Sequence, residues 1–180
     1  MSLEIYPVRK EDIDIIGLLH VEGLKSSYAG IVDKTYIESL DKEEQSGKWR
    51  KWLDNPEIDV AIAYMNDHPV GFVAYGQIQT APPGQSAIRP LYSAEIMGLY
   101  VLEAYWEQGI GRALVQYAAK ELKEKKHTSL CLWVMADNKR ACSFYERLGG
   151  QRIGKQKTEI AGRLYKEACY GWRHTSALIV

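Results

Sequence analysis

A chain of 180 residues is long enough to bury one sizeable core and short of what two comfortable domains need. Lys+Arg and Asp+Glu both number 23, so no net field draws the protein toward nucleic acid or an anionic membrane. With 46% hydrophobic and 26% charged residues the composition is ordinary for a globular protein, and any anion site has to be built locally.

The opening stretch MSLEIYPVRKEDID carries acids early and lacks the apolar core of a signal peptide. Within it Leu3–Arg9 reads as a first strand, with Leu3 and Ile5 on one face. From Glu11 to about Ser27, Ile13, Ile16, Leu19 and Leu24 recur at helical spacing. Tyr36–Leu40 and Gln45–Leu53 read as short helices, with Asp33 and Asp41 as caps. Val60–Met65 and Val70–Gln77 are rich in Val, Ala and Tyr and flank Asn66-Asp67-His68-Pro69, the pattern of a hairpin. The longest uncharged run, Pro69–Ile88, holds three glutamines, three prolines and three glycines and is no membrane span. Thr80–Pro90, with Pro82-Pro83-Gly84, is the one long loop candidate.

Ser93–Val101 is the next strand, followed by a turn and a helix over about Gly109–Lys126. There Ile110, Leu114, Ala118 and Leu122 share a face, and Lys123, Lys125 and Lys126 suit the dipole of the last turns. Leu130–Met135 is a short apolar strand, and Asn138–Leu148 a helix ended by Gly149-Gly150. Strands near Arg152–Thr158 and Leu164–Trp172 complete the count. This order predicts one domain over residues 1–180, a mixed α/β sheet with helices on both faces. Cys131, Cys142 and Cys169 form no CxxC pair, and the expected compartment is the reducing cytoplasm. The histidines, His20, His68, His127 and His174, have no metal-ligand spacing, so no metal is expected.

The stretch Gln108-Gly109-Ile110-Gly111-Arg112-Ala113-Leu114 sets two glycines at the head of the long helix, although each costs a helix interior about 0.5–1 kcal/mol against alanine. A strand running into a helix start leaves main-chain N–H groups unpaired, and positions without side chains admit a ligand to them. Helix polarity and Arg112 favour an anion there, and a pyrophosphate is the natural guest. A helix entered through a tight turn, with glycines serving close packing, explains the same two residues equally well. The dinucleotide fingerprint needs a third glycine where Leu114 stands, and the P-loop needs Gly-Lys-Ser/Thr where Gly111-Arg112-Ala113 stands.

Three segments occur in order: Glu95-Ile96-Met97-Gly98-Leu99-Tyr100-Val101, the glycine turn, and Asn138-Lys139-Arg140-Ala141-Cys142-Ser143-Phe144-Tyr145-Glu146-Arg147-Leu148-Gly149. Together they resemble the GNAT superfamily of N-acetyltransferases. The resemblance implies a mostly antiparallel sheet splayed at a cofactor cleft between Ser93–Val101 and Leu130–Met135. It implies acetyl-CoA as cosubstrate, its pantetheine paired with the main chain of Leu99-Tyr100-Val101 and its diphosphate on the N–H groups of Gln108, Gly109, Ile110, Gly111, Arg112 and Ala113. The family motif carries Gln or Arg where Trp106 stands, and Gln108 is a partial substitute.

By the same resemblance Tyr145 protonates the departing thiolate, Asn138 touches the cofactor and Glu95 is a general base. Read alone, Tyr145 is a core aromatic, Asn138 a helix cap and Glu95 a solvated strand carboxylate. Trp49, Trp52, Tyr28 and Tyr36 fall in the segment that walls the acceptor side in this family, and Thr80–Tyr92 would be the opposite lip; as helix-face aromatics the four fit a core equally well. Direct attack needs no covalent enzyme intermediate, so Cys142 reads as a small buried residue. The implied activity is acetyl transfer from acetyl-CoA to a primary amine in a ternary complex. The alternatives are acetylation of a peptide or protein amino terminus, and an acyl-CoA binding or sensing module without turnover. No nucleic-acid or membrane partner is expected; homodimers are common in the family, and the sequence fixes no interface.

Overall fold

The computed structural model describes residues 2–83 and 91–179. The strand β1 (Leu3–Pro7) leads through a 3-10 turn, Lys10–Asp12, into α1 (Ile13–Tyr28). Two short helices follow, α2 (Lys34–Glu38) and α3 (Lys42–Leu53). Asp33 and Asp41 cap them as expected, accepting the N–H groups of Thr35 and Glu44, both at 2.9 Å. The strands β2 (Ile58–Met65) and β3 (His68–Gln77) meet at a two-residue turn. Asn66 and Asp67 both have positive φ there (49° and 66°), the geometry that matches strand twist and that Asn and Asp tolerate. The loop expected at Thr80–Pro90 lies, from residue 84 on, outside the described residues.

Next come β4 (Ala94–Val101), a 3-10 turn at Glu103–Tyr105, α4 (Ile110–Glu124), β5 (Leu130–Met135) and α5 (Lys139–Arg147). The hairpin of β6 (Gln151–Ile160) and β7 (Arg163–Trp172) ends the sheet, and a 3-10 turn, Thr175–Leu178, follows. The strands form one sheet in the order β1-β2-β3-β4-β5-β7-β6, antiparallel throughout except between β4 and β5.

Alternation along β2 and β3 divides the core between the two faces of the sheet. Ala61, Ala63, Val73 and Tyr75 pack toward α4, whose Ile110, Leu114, Val115, Ala118, Ala119 and Leu122 are all at most 1% exposed. Truncating a leucine there to alanine costs about 2–5 kcal/mol. Val60, Ile62, Phe72 and Ala74 face the other way, onto Ile16 and Leu19 of α1 and Trp49 of α3. Trp49 donates its indole N–H to Nδ1 of His20 (3.0 Å), and burial pushes His20 down to about 4, so the ring is neutral. Trp49 is thereby a core residue.

What positions the site is the middle of the sheet. β4 and β5 pair only at Ala94–Leu130, Glu95–Cys131 and Ile96–Leu132, and diverge beyond. At the same level the register with β3 slips: Ala74 faces Gly98 while Tyr75 faces Ile96, which leaves Met97 unopposed. One extra residue inverts a strand's alternation. Ala94 turns its N–H toward Ser129 on the β5 side. Beyond the bulge Leu102 turns its N–H to Val70 on β3, so the main-chain groups of Leu99 and Val101 face the gap.

Candidate active site

The gap between β4 and β5 opens into a cavity of about 670 Å³. Among the residues expected at a site, Glu95, Leu99, Tyr100, Val101, Gly109, Ile110, Gly111, Arg112, Asn138 and Tyr145 all line it; Gln108 and Ala113 do not. Tyr28 and Trp52 line it as well, whereas Trp49 and Tyr36 do not.

Gly109 caps α4 in the left-handed region, φ +82° and ψ −3°. A Cβ built there meets nothing within 4 Å, so the space over this turn is open, and the backbone conformation alone calls for glycine. Gly111 has a different reason: its Cβ would stand 3.3 Å from the Phe144 ring, so the close approach of α4 and α5 favours glycine there. The packing explanation thus holds for the second glycine. Among the described residues the N–H groups of Gly109, Ile110, Gly111 and Arg112 have no acceptor. The Ala113 N–H does: it closes the first turn on the Gly109 carbonyl at 3.0 Å. The row of open donors therefore ends at Arg112. Gln108 turns away, donating its amide to the Ala104 carbonyl at 3.2 Å.

Trp106 is half-buried and donates its indole N–H to the Val101 carbonyl at 2.8 Å. That carbonyl is on the gap side, so along this edge the Leu99 groups and the Val101 N–H remain for a ligand. On the opposite lip the Arg140 guanidinium of α5 sits over the Trp106 ring, its Cζ 3.4 Å from the centroid. Asn138 caps α5, accepting the Ala141 N–H at 3.1 Å, while lining the cavity as well.

Tyr145 is 7% exposed and packs against Phe144, Tyr170 and Trp172. Among the described residues its hydroxyl has no hydrogen-bond partner, yet the one sealed and unpaired side-chain polar atom is the Ser46 hydroxyl. The Tyr145 hydroxyl therefore opens onto the cavity it lines. Burial, reinforced by the neighbouring Cys142, raises the phenol above its ordinary range, and Arg140 pulls it partly back. It stays protonated throughout neutral pH. Cys142 is buried beneath it, its thiol 3.7 Å from the Met135 carbonyl.

Glu95 is 5% exposed, and its Oε2 accepts the N–H groups of Gln79 and Thr80, both at 2.8 Å. Burial raises this carboxyl; the two hydrogen bonds oppose the rise and the charge of Glu167 adds to it. Trp133 donates to the Thr80 carbonyl at 3.0 Å and so fixes the same strand exit. Glu167 of β7 lines the cavity and takes a 2.8 Å hydrogen bond from Gln156. Its charge also raises the phenols of Tyr28, pushed up to about 12 chiefly by burial, and Tyr100. Glu167, Trp133, Gln156 and Arg140 escape a reading of the sequence alone. The one available sign is a charged residue directly before the apolar Ala168-Cys169-Tyr170 run of a strand. No cluster of three metal-ligating side chains occurs among the described residues.

The chain is similar to known proteins in sequence and fold. The family model described as acetyltransferase (GNAT) family matches residues 27–150. YuaI of Bacillus subtilis, an uncharacterized N-acetyltransferase, is 31% identical over 93% of this chain and 91% of its own. A spermidine N(1)-acetyltransferase of Thermoplasma acidophilum is 29% identical over 83% of this chain and 88% of its own. The crystal structure of the PaiA N-acetyltransferase of Thermoplasma acidophilum, in complex with coenzyme A, superposes with a TM-score of 0.68 at 26% identity. It covers 93% of this chain and 98% of that one.

Proposed function

This chain belongs to the acetyltransferase (GNAT) family, and from that premise we propose that it moves the acetyl group of acetyl-CoA onto a primary amine by direct attack in a ternary complex. It is an N-acetyltransferase with acetyl-CoA as cosubstrate. One observation carries the finer reading: a single cavity joins the open N–H groups of Gly109–Arg112, the unpaired Tyr145 hydroxyl and the buried Glu95 carboxylate. All described strands share one sheet, which supports a single domain over residues 1–180.

An amine of pKa ~10 arrives as ammonium, and deprotonation at pH 7 costs about 4 kcal/mol. Glu95 takes that proton, directly or through a water, and its upward shift narrows the mismatch with the amine. The free amine attacks the thioester carbonyl, the C–N bond forms as the C–S bond breaks, and Tyr145 passes its phenolic proton to the departing thiolate. The second proton shed by the nitrogen returns to the Tyr145 oxygen, leaving a neutral amide, a thiol and the phenol restored. The Leu99 main chain and the Val101 N–H hold the pantetheine arm as a strand holds its neighbour. The N–H groups from Gly109 to Arg112 hold the diphosphate. Asn138 holds the entrance of α5 beside it.

The acceptor reading favoured here is a cationic amine, because Glu95 and Glu167 are both turned into the cavity among Tyr28, Trp52 and Trp133. The relative that acts on spermidine is in keeping with this. The three cysteines are free and buried, and no helix among the described residues is long and apolar enough to cross a membrane. We place the reaction in the cytoplasm. Release of free thiol from acetyl-CoA, measured against a panel of small amines, spermidine and peptide amino termini, tests the proposal. Amine-dependent release is expected, highest with the cationic amines. Tight coenzyme A binding with no release from any acceptor would replace the enzyme by a sensing module.

A further inference from the structure

The Trp106–Arg140 stack joins the two lips of the cavity at the end where the open N–H groups lie. Trp106 comes from the turn after β4 and Arg140 from the first turn of α5. Trp106 is fixed by its bond to the Val101 carbonyl, so its ring is a platform with a set position. On that platform the Arg140 guanidinium makes no ion pair and no hydrogen bond among the described residues. Glu103 and Glu107 are near enough to bias its charge but make no contact with it. A guanidinium stacked on an indole keeps its edge donors free, in one plane, for an oxyanion.

We propose that Arg140, held over the Trp106 ring, is a phosphate-binding residue for the acyl carrier, supplying from the α5 lip a cation that the α4 turn meets only with main-chain N–H groups and the exposed Arg112. Arg140 is the binding residue and Trp106 the positioning residue. The inference rests on the cofactor cleft argued above and adds a contact outside the glycine turn.

Calorimetric titration with coenzyme A tests it, using wild type, Arg140→Ala, Trp106→Ala and the double variant. Arg140 is exposed, so its removal leaves the core intact. Arg140→Ala is expected to weaken binding about tenfold or more, as for loss of a hydrogen bond to a charged group. It should also flatten the dependence of Kd on salt. Arg140→Lys keeps the charge without the planar stack and should recover part of the loss. Trp106→Ala should cost affinity only while Arg140 is present, so that the double variant is no weaker than Arg140→Ala. Repeating the titration with dephospho-coenzyme A locates the contact: a loss that disappears assigns the 3′-phosphate, and a loss that persists assigns the diphosphate. Unchanged affinity of Arg140→Ala for both ligands, in a wild type that binds them, overturns the inference and leaves the proposed function standing. A wild type that binds neither ligand overturns both.

Discussion

The two ends of the cavity are built on different principles. At the glycine turn the groups open to the cavity are main-chain N–H groups, placed by the left-handed Gly109 and the start of α4. At the Glu95 end they are side chains from α1, α3, β4, β5, β6 and β7, each brought in by a different element. A backbone cradle tolerates exchange of its side chains, and in the function proposed here it holds the diphosphate. A side-chain pocket changes with each residue, so acceptor choice can diverge while the donor stays the same.

The comparison is broken most sharply at the point where the two ends meet. Tyr145→Phe is expected to lower kcat about a hundredfold or more, while calorimetry finds coenzyme A affinity nearly unchanged. An equal loss of affinity would move Tyr145 into the donor end. Glu95→Gln should lower kcat/KM about ten- to a hundredfold and remove the acidic limb of the pH–rate profile. That limb should lie above the ordinary carboxyl range, because the folded pKa is raised. The same shift predicts a stability effect. Folded Glu95 binds its proton more tightly than the unfolded chain does, so its contribution is full below the unfolded pKa and lost as pH rises through the folded one. Thermal melts of wild type and Glu95→Gln should accordingly diverge in favour of the variant from about pH 4.5 upward. Parallel melts would show the carboxyl to be unshifted.

At the donor end, Gly109→Val forces a branched side chain into φ +82°, costing about 1–2 kcal/mol of stability, and obstructs the open space over the turn. Coenzyme A affinity should fall about tenfold, the loss of one or two hydrogen bonds to a charged group, with the acceptor KM unaltered. The smallest effect is expected from Glu167→Gln. It should raise KM about fivefold for a cationic acceptor, as for a partly exposed ion pair, and leave a neutral acceptor and coenzyme A unchanged. A uniform rise for all acceptors would make Glu167 a structural partner of Gln156 alone.

The glycine turn was legible because its residues are contiguous: Gly109, Ile110, Gly111 and Arg112 stand together at a strand-to-helix switch. The α4 face of Ile110, Leu114, Ala118 and Leu122 and the caps Asp33 and Asp41 were legible for the same reason. The bulge at Met97 was not, because it exists only relative to β3. The role of Gly111 lies in a contact with Phe144, which is distant in sequence, and Glu167 meets the cavity only once β7 has inserted between β5 and β6. The 3-10 turns at Glu103–Tyr105 and Thr175–Leu178 are too short to carry a period. Gln108, expected to stand in at the motif position of Trp106, instead ties back to Ala104, while Arg140 reaches over the Trp106 ring from the far lip.

The narrow junction of β4 with β5 has a mechanical consequence. The sheet is in effect two antiparallel sheaves, of four and three strands, stitched by three residue pairs. A ligand bonded both to the bare edge of Leu99 and Val101 and to β5 across the gap would lengthen that seam and stiffen the whole sheet as it bound.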